Sequence, residues 1–200
     1  MAEGSTQPPH ATRFIETSRG ILSYAKLAPL LAERVLRTLE DIEDGLFAQA
    51  PLGEPLLLDL HKAVCGDLTP EWAGRIRAIE VKVGEHEPPE PHQLEILLRD
   101  YFADLNARLS EISAPENPLL LEALAFAEGR LLFIHPFADF NGRVTRLLLA
   151  ELLRRLDLPP VELAPETDES RVNYIRALRA ADKLDWKPLT DLWRKRLETI

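Results

Sequence analysis

Apolar residues recur at spacings of three and four through most of the chain. Leu30, Leu31, Val35, Leu36, Leu39 and Ile42 form one such stripe, which predicts a helix over 29–44 with Pro29 in its first turn and Gly45 at its stop. A short helix is expected before it, over 12–24, after a polar tail over 1–11 broken by Pro8 and Pro9. Further helices are expected over 55–65, 91–112, 118–134, 142–156, 167–180 and 187–199. Asn117 suits the N-cap of the 118–134 helix, and Pro118 its first position. One stretch breaks the helical period. Ile76, Ala78, Val81 and Val83 stand among charged residues, which predicts a small extended hairpin over 76–84 with a turn at Gly84-Glu85-His86. Glu87 to Pro91 then reads as rigid and extended. The expected fold is all-α with one small β-hairpin, with neither repeats nor strand–helix alternation.

Composition narrows the class. The chain has 200 residues, of which 46% are hydrophobic and 28% charged, the profile of an ordinary globular protein able to bury its own core. A single cysteine, Cys65, excludes a disulfide framework and a cysteine-rich zinc site. A net charge of −9 disfavours a nucleic-acid grip, which depends on neutralising phosphates. The longest apolar stretch, 119–133, is interrupted by Glu122, Glu128 and Arg130, and the first residues lack an apolar signal core. A cytoplasmic protein without membrane contact is the expectation.

Chemistry concentrates in the run His135-Pro136-Phe137-Ala138-Asp139-Phe140-Asn141-Gly142-Arg143-Val144-Thr145-Arg146. It joins two apolar helices and leads into a helix N-terminus, where unpaired backbone N–H groups favour anions. Arg143 and Arg146 are three residues apart and share one helix face, so their guanidinium forks suit phosphate oxygens. Asp139 is a hard oxygen ligand of the kind Mg²⁺ takes beside substrate phosphates. His135 can accept a proton near neutral pH. His10, His61, His86 and His92 have no metal-ligand spacing, and His61 and Cys65 read as packing residues.

This run resembles the motif of the Fic family: His-Pro-Phe, one residue, Asp or Glu, Gly-Asn-Gly-Arg, two residues, Arg. His135, Pro136, Phe137, Asp139, Asn141, Gly142, Arg143 and Arg146 match it. Trp72-Ala73-Gly74-Arg75-Ile76-Arg77 is similar to the Gly-x-x-Arg approach to the family's flap hairpin, and the stretch from Tyr174 to Asp182 is also similar. The resemblance implies a Fic core over 51–200, preceded by an N-terminal segment over 12–50. It implies a protein adenylyltransferase that moves AMP from ATP to a Ser, Thr or Tyr hydroxyl of a target protein. His135 would be the general base and Asp139 would hold Mg²⁺. Asn141 by its side chain, Gly142 partly by its backbone, and Arg143 would hold the phosphates, and Arg146 would orient the terminal one. Ile79, Val81 and Val83 of the flap would position the target by strand addition.

The resemblance further implies an inhibitory helix of the pattern Ser or Thr, three residues, Glu, then Gly or Asn. Thr12 and Glu16 match it and Thr17 does not, and the match would place Glu16 against Arg146. It leaves room for a separate antitoxin or for self-association. Phe140 departs from the motif, where the family usually carries Gly. A Phe at positive φ is unfavourable, so an ordinary backbone or an altered pocket is expected there. Two alternatives stay open: transfer of another phosphate-containing group on the same fold, kinase-like or from another nucleotide, and a catalytically silent binding module.

Overall fold

The computed structural model describes residues 13–112, 114 and 117–198. It begins with a two-stranded antiparallel hairpin, β1 (Phe14–Thr17) and β2 (Gly20–Ser23). Among the described residues seven α-helices follow: α1 (Tyr24–Glu43), α2 (Glu54–Cys65), α3 (Leu94–Ser110), α4 (Leu120–Ile134), α5 (Asn141–Arg155), α6 (Asp168–Ala181) and α7 (Lys187–Glu198). The expected all-α architecture with one small hairpin is therefore present, but the hairpin stands at the other end of the sequence from the motif.

The short helix expected over 12–24 is instead this hairpin. Residues 14–17 alternate exposed and buried, the period of a strand with one covered face. The Thr17 hydroxyl donates to the Gly20 carbonyl at 2.7 Å, and Gly20 turns at φ 88°, so the chain reverses where a helix would continue. Thr12 lies outside the described residues. Helix α1 also starts earlier than the 29–44 pattern suggests, with Pro29 inside it. The added turn seats Leu27 in the core beside Leu31, both fully buried.

The expected hairpin over 76–84 is not a hairpin. Residues 76–90 run irregular, with one antiparallel bridge between Val83 and His86 closed by hydrogen bonds of 3.0 Å each way. The reason lies in Arg77, whose guanidinium takes the Ile79 and Pro89 carbonyls that a ladder would need.

Helix α4 is the axis of the bundle, packed by α3, α5, α6 and α7. Its sequence is apolar on nearly every face, as burial on all sides requires. Gly129 lets the helices close on it. A Cβ there would meet Leu189 Cδ2 at 3.0 Å and both Ala181 Cβ and Trp186 Cζ3 at 3.1 Å. Helix α5 runs back from α4, covered by α1 and α2. The motif occupies the bend between α4 and α5.

Candidate active site

Two residues in left-handed conformation make the bend. His135 closes α4 at φ 51°, ψ 60°, and Phe140 opens α5 at φ 61°, ψ 14°. Phe140 thus keeps the backbone that a glycine would adopt, so of the two outcomes expected there the ordinary backbone is not the one found. Tertiary packing holds it there: the side chain is buried and stacks on Trp72, with centroids 5.5 Å apart. Phe140→Gly should keep the bend and lose the anchor. Relief of the left-handed strain offsets part of a Phe deletion, leaving a net destabilisation of about 2–3 kcal/mol, to be read by thermal melting.

Between these residues the loop is clamped from both sides. The Asn141 side chain accepts from the Phe137 N–H at 2.9 Å and donates to the Phe137 carbonyl at 2.8 Å. The amide expected to grip phosphate is engaged on buried backbone groups, which demand partners of their own, through its oxygen and one of its two N–H donors. Phe137 is buried and stacks face to face on His61, at 3.8 Å and 8°. His61 Nδ1 accepts from the Gly74 N–H at 2.9 Å, so its proton sits on Nε2, toward the backbone of Asp139. Burial lowers the His61 pKa to about 4 and keeps the ring neutral. Gly74 is required at this contact: its φ is 67° and a Cβ would meet the Leu58 carbonyl at 3.2 Å. The packing role read for His61 therefore holds, with a hydrogen-bonding role added.

His135 turns Nδ1 toward the Leu132 carbonyl at 3.4 Å. That neighbour places the proton on Nδ1 and leaves Nε2 with a lone pair. Burial lowers its pKa to about 4, and the charges of His86, Arg77 and Arg179 push the same way. Asp139 accepts from the Phe140 N–H at 2.7 Å and forms an ion pair with Arg13, just ahead of β1. Burial raises its carboxyl pKa, against the pull of Arg13 and Arg143.

Arg143 donates to the Tyr24 hydroxyl at 2.7 Å. The guanidiniums of Arg13 and Arg143 lie 5.8 and 5.7 Å from the Tyr24 ring centre. Arg143 and Arg146 open onto a cavity of about 640 Å³ walled by Val35 and Leu39 of α1 and by Leu158 to Ala164. His135 is not among the residues lining that cavity. No three His, Cys, Asp or Glu side chains converge on a metal position among the described residues. A single carboxylate fits Mg²⁺, an ion that takes few protein ligands and needs space for substrate phosphates. Such space exists at the start of α5, where a Cβ on Gly142 would touch nothing within 4 Å.

Glu16 stands apart from all of this. It is exposed on β1, opposite Ile21. A Thr-x-x-x-Glu pattern needs helical spacing to bring its ends to one face, and a strand does not supply it. The described part of the expected inhibitory segment, 14–17, is therefore strand and not helix. In the irregular 76–90 segment, Ile79 is exposed and Val81 and Val83 are half-buried. Sequence reasoning missed Arg13, Tyr24 and the bonding role of Arg77, whose partners are backbone carbonyls or lie more than a hundred residues away.

The Culex quinquefasciatus "Protein adenylyltransferase Fic" is 36% identical over 63% of this chain and 24% of its own length. Its Drosophila virilis namesake is 39% identical over 66% of this chain and 26% of its own. The chain thus spans about a quarter of the curated relatives it matches. Among solved structures, Fic-1 (residues 134–508) of C. elegans aligns at TM-score 0.66 and 29% identity, over 83% of this chain and 47% of that one. BepC of Bartonella tribocorum, with bound AMPPNP, shares the fold at TM-score 0.72 and 19% identity over 97% and 96% of the two chains. No described helix is long and apolar enough to cross a membrane. The Fic/DOC family pattern matches residues 51–153, more than half of the sequence, and on that match this chain belongs to the Fic/DOC family.

Proposed function

We propose that the chain is a protein adenylyltransferase, moving AMP from ATP to a Ser, Thr or Tyr hydroxyl of a target protein. The observation that carries this is the bend itself: a neutral histidine and a paired carboxylate, followed by two arginines at the start of α5. The relatives' name, adenylyltransferase, supports the reaction class, and the AMPPNP bound to BepC supports the donor.

In this reading the target hydroxyl oxygen attacks the α-phosphorus of ATP. The bond from that phosphorus to the bridging oxygen breaks, pyrophosphate leaves, and the hydroxyl proton passes to Nε2 of His135. Arg143 and Arg146 hold the phosphates, and the Gly142 backbone admits them closely. Asn141 acts at one remove, keeping Phe137 and the bend in shape. Mg²⁺, when bound at Asp139, neutralises phosphate charge. Ile79, Val81 and Val83 place the target. The proposal includes a cytoplasmic setting, and regulation by a partner protein or a second copy.

Arg13 has to yield Asp139 to the metal. Arg13→Ala should therefore tighten Mg²⁺-dependent AMPPNP binding, read by calorimetry, by about two- to fivefold, the size of a partly exposed ion pair. Incubation with ATP labelled at either the α- or the γ-phosphate tests the reaction. Label should pass to protein from the α position alone. Transfer of γ label instead would favour a kinase-like reaction and discard this one.

A further inference from the structure

Arg77 is one of the few buried charges, only 4% exposed, and its described partners are all backbone carbonyls. Nε donates to the His135 carbonyl at 2.8 Å, Nη1 to Ile79 at 2.8 Å and Nη2 to Pro89 at 2.6 Å. Its own backbone N–H donates to the Pro136 carbonyl at 2.9 Å. Three chain positions, 79, 89 and 135, thus meet on one planar fork. A guanidinium can reach three carbonyls lying in one plane, whereas an ammonium is a compact point charge without that fixed geometry. Holding a cation on neutral acceptors in a buried place is costly, and burial lowers its pKa. A bare anchor for a loop would need only neutral donors. The fork adds a fixed register between the irregular 76–90 segment and the turn that carries His135. His86 ties the far end of the segment to the same helix end, its Nε2 lying 3.0 Å from the Phe133 carbonyl.

We propose that Arg77 is a positioning residue, which sets the height of the 79–89 segment against His135 so that a target hydroxyl held by the one meets Nε2 of the other. This rests on the adenylyltransferase reading above. Water as acceptor does not need the segment, and His135 keeps a hold of its own on α4, its N–H donating to the Leu131 carbonyl at 3.0 Å. Arg77 therefore bears on transfer to protein and not on AMP release to water.

The test uses the full chain with Arg77→Lys and Arg77→Gln. Three quantities are read: α-label incorporated into the chain's own hydroxyls, AMP released to water, and amide hydrogen exchange over 78–90. A displacement of about an ångström is worth about a hundredfold in rate. Incorporation should therefore fall about a hundredfold in both variants, while AMPPNP binding and AMP release change less than about threefold. Exchange over 78–90 should quicken about tenfold or more, with the helices unchanged. Equal losses of incorporation and release would overturn the proposal, as would unchanged incorporation. Unchanged exchange over 78–90 overturns it in any event. If Arg77→Gln fails to fold, Arg77→Lys, which keeps the charge and loses the fork, decides alone. Wild-type protein that neither transfers nor releases AMP would defeat the adenylyltransferase reading instead, while the exchange measurement still reports on the link itself.

Discussion

Replacing His135 should lower the rate of AMP transfer by about 10²- to 10⁴-fold, the usual worth of a positioned general base. His135→Asn is the cleaner variant. Asn tolerates the left-handed backbone at φ 51° better than Ala, so the bend survives while the base is lost. AMPPNP binding should stay within about threefold of wild type in His135→Asn, since the proposal puts the phosphate contacts on Arg143 and Arg146. The pH profile follows from the same residue. Its pKa stands near 4, so the base is unprotonated throughout the neutral range. The acid limb of transfer should therefore lie near pH 4, not near 6.5 as for a solvated histidine. A rate that already halves at pH 6.5 would count against His135 as the base.

Glu128→Ala should produce the largest loss of stability. Glu128 is 1% exposed in α4, about two turns before the bend. Its carboxylate accepts from Arg196 Nη1 at 2.7 Å and from the Tyr174 hydroxyl at 2.7 Å, joining α4 to α6 and α7. Removing it strands a mostly buried guanidinium, left with the Leu163 carbonyl at 3.1 Å and the faces of Trp193 and Tyr174. Breaking a buried pair in this way costs about 3–5 kcal/mol. For a chain of this size the melting temperature should fall by roughly 10 °C. Glu128→Gln keeps the acceptor oxygen and should lose less. A melting point within about 2 °C of wild type in Glu128→Ala would show that this network contributes little to the fold. Because α4 carries His135 at its end, partial loss of transfer below the melting point is expected as well.

How far these features could be read in advance varies by element. The helices α2 to α7 were legible because each has an apolar stripe of the right period or a punctuating Pro, Gly or Asn. The Asn117 side chain does accept from a backbone N–H, that of Leu119 at 2.9 Å, although the helix begins one residue later at Leu120. The bend was legible because its chemistry is contiguous in sequence. The N-terminal hairpin was not, since Phe14 to Ser23 is short and apolar enough to suit either period, and only the Gly20 turn decides it. The 76–90 segment looked like strands because its apolar residues alternate. One buried arginine captures the carbonyls that would have paired. Phe140 at positive φ violates local preference, and packing on Trp72 overrides it. Partners such as Arg13 with Asp139, or Tyr24 with Arg143, lie more than a hundred residues apart and leave no mark in local pattern.

The most direct measurement is a crystal structure of the full chain grown with AMPPNP and Mg²⁺. The account predicts phosphates on Arg143 and Arg146 at the start of α5, the metal on Asp139 with Arg13 displaced, and Nε2 of His135 facing the α-phosphate. A nucleotide bound elsewhere, or phosphates at α5 with Asp139 still paired to Arg13 and His135 turned away, would contradict it.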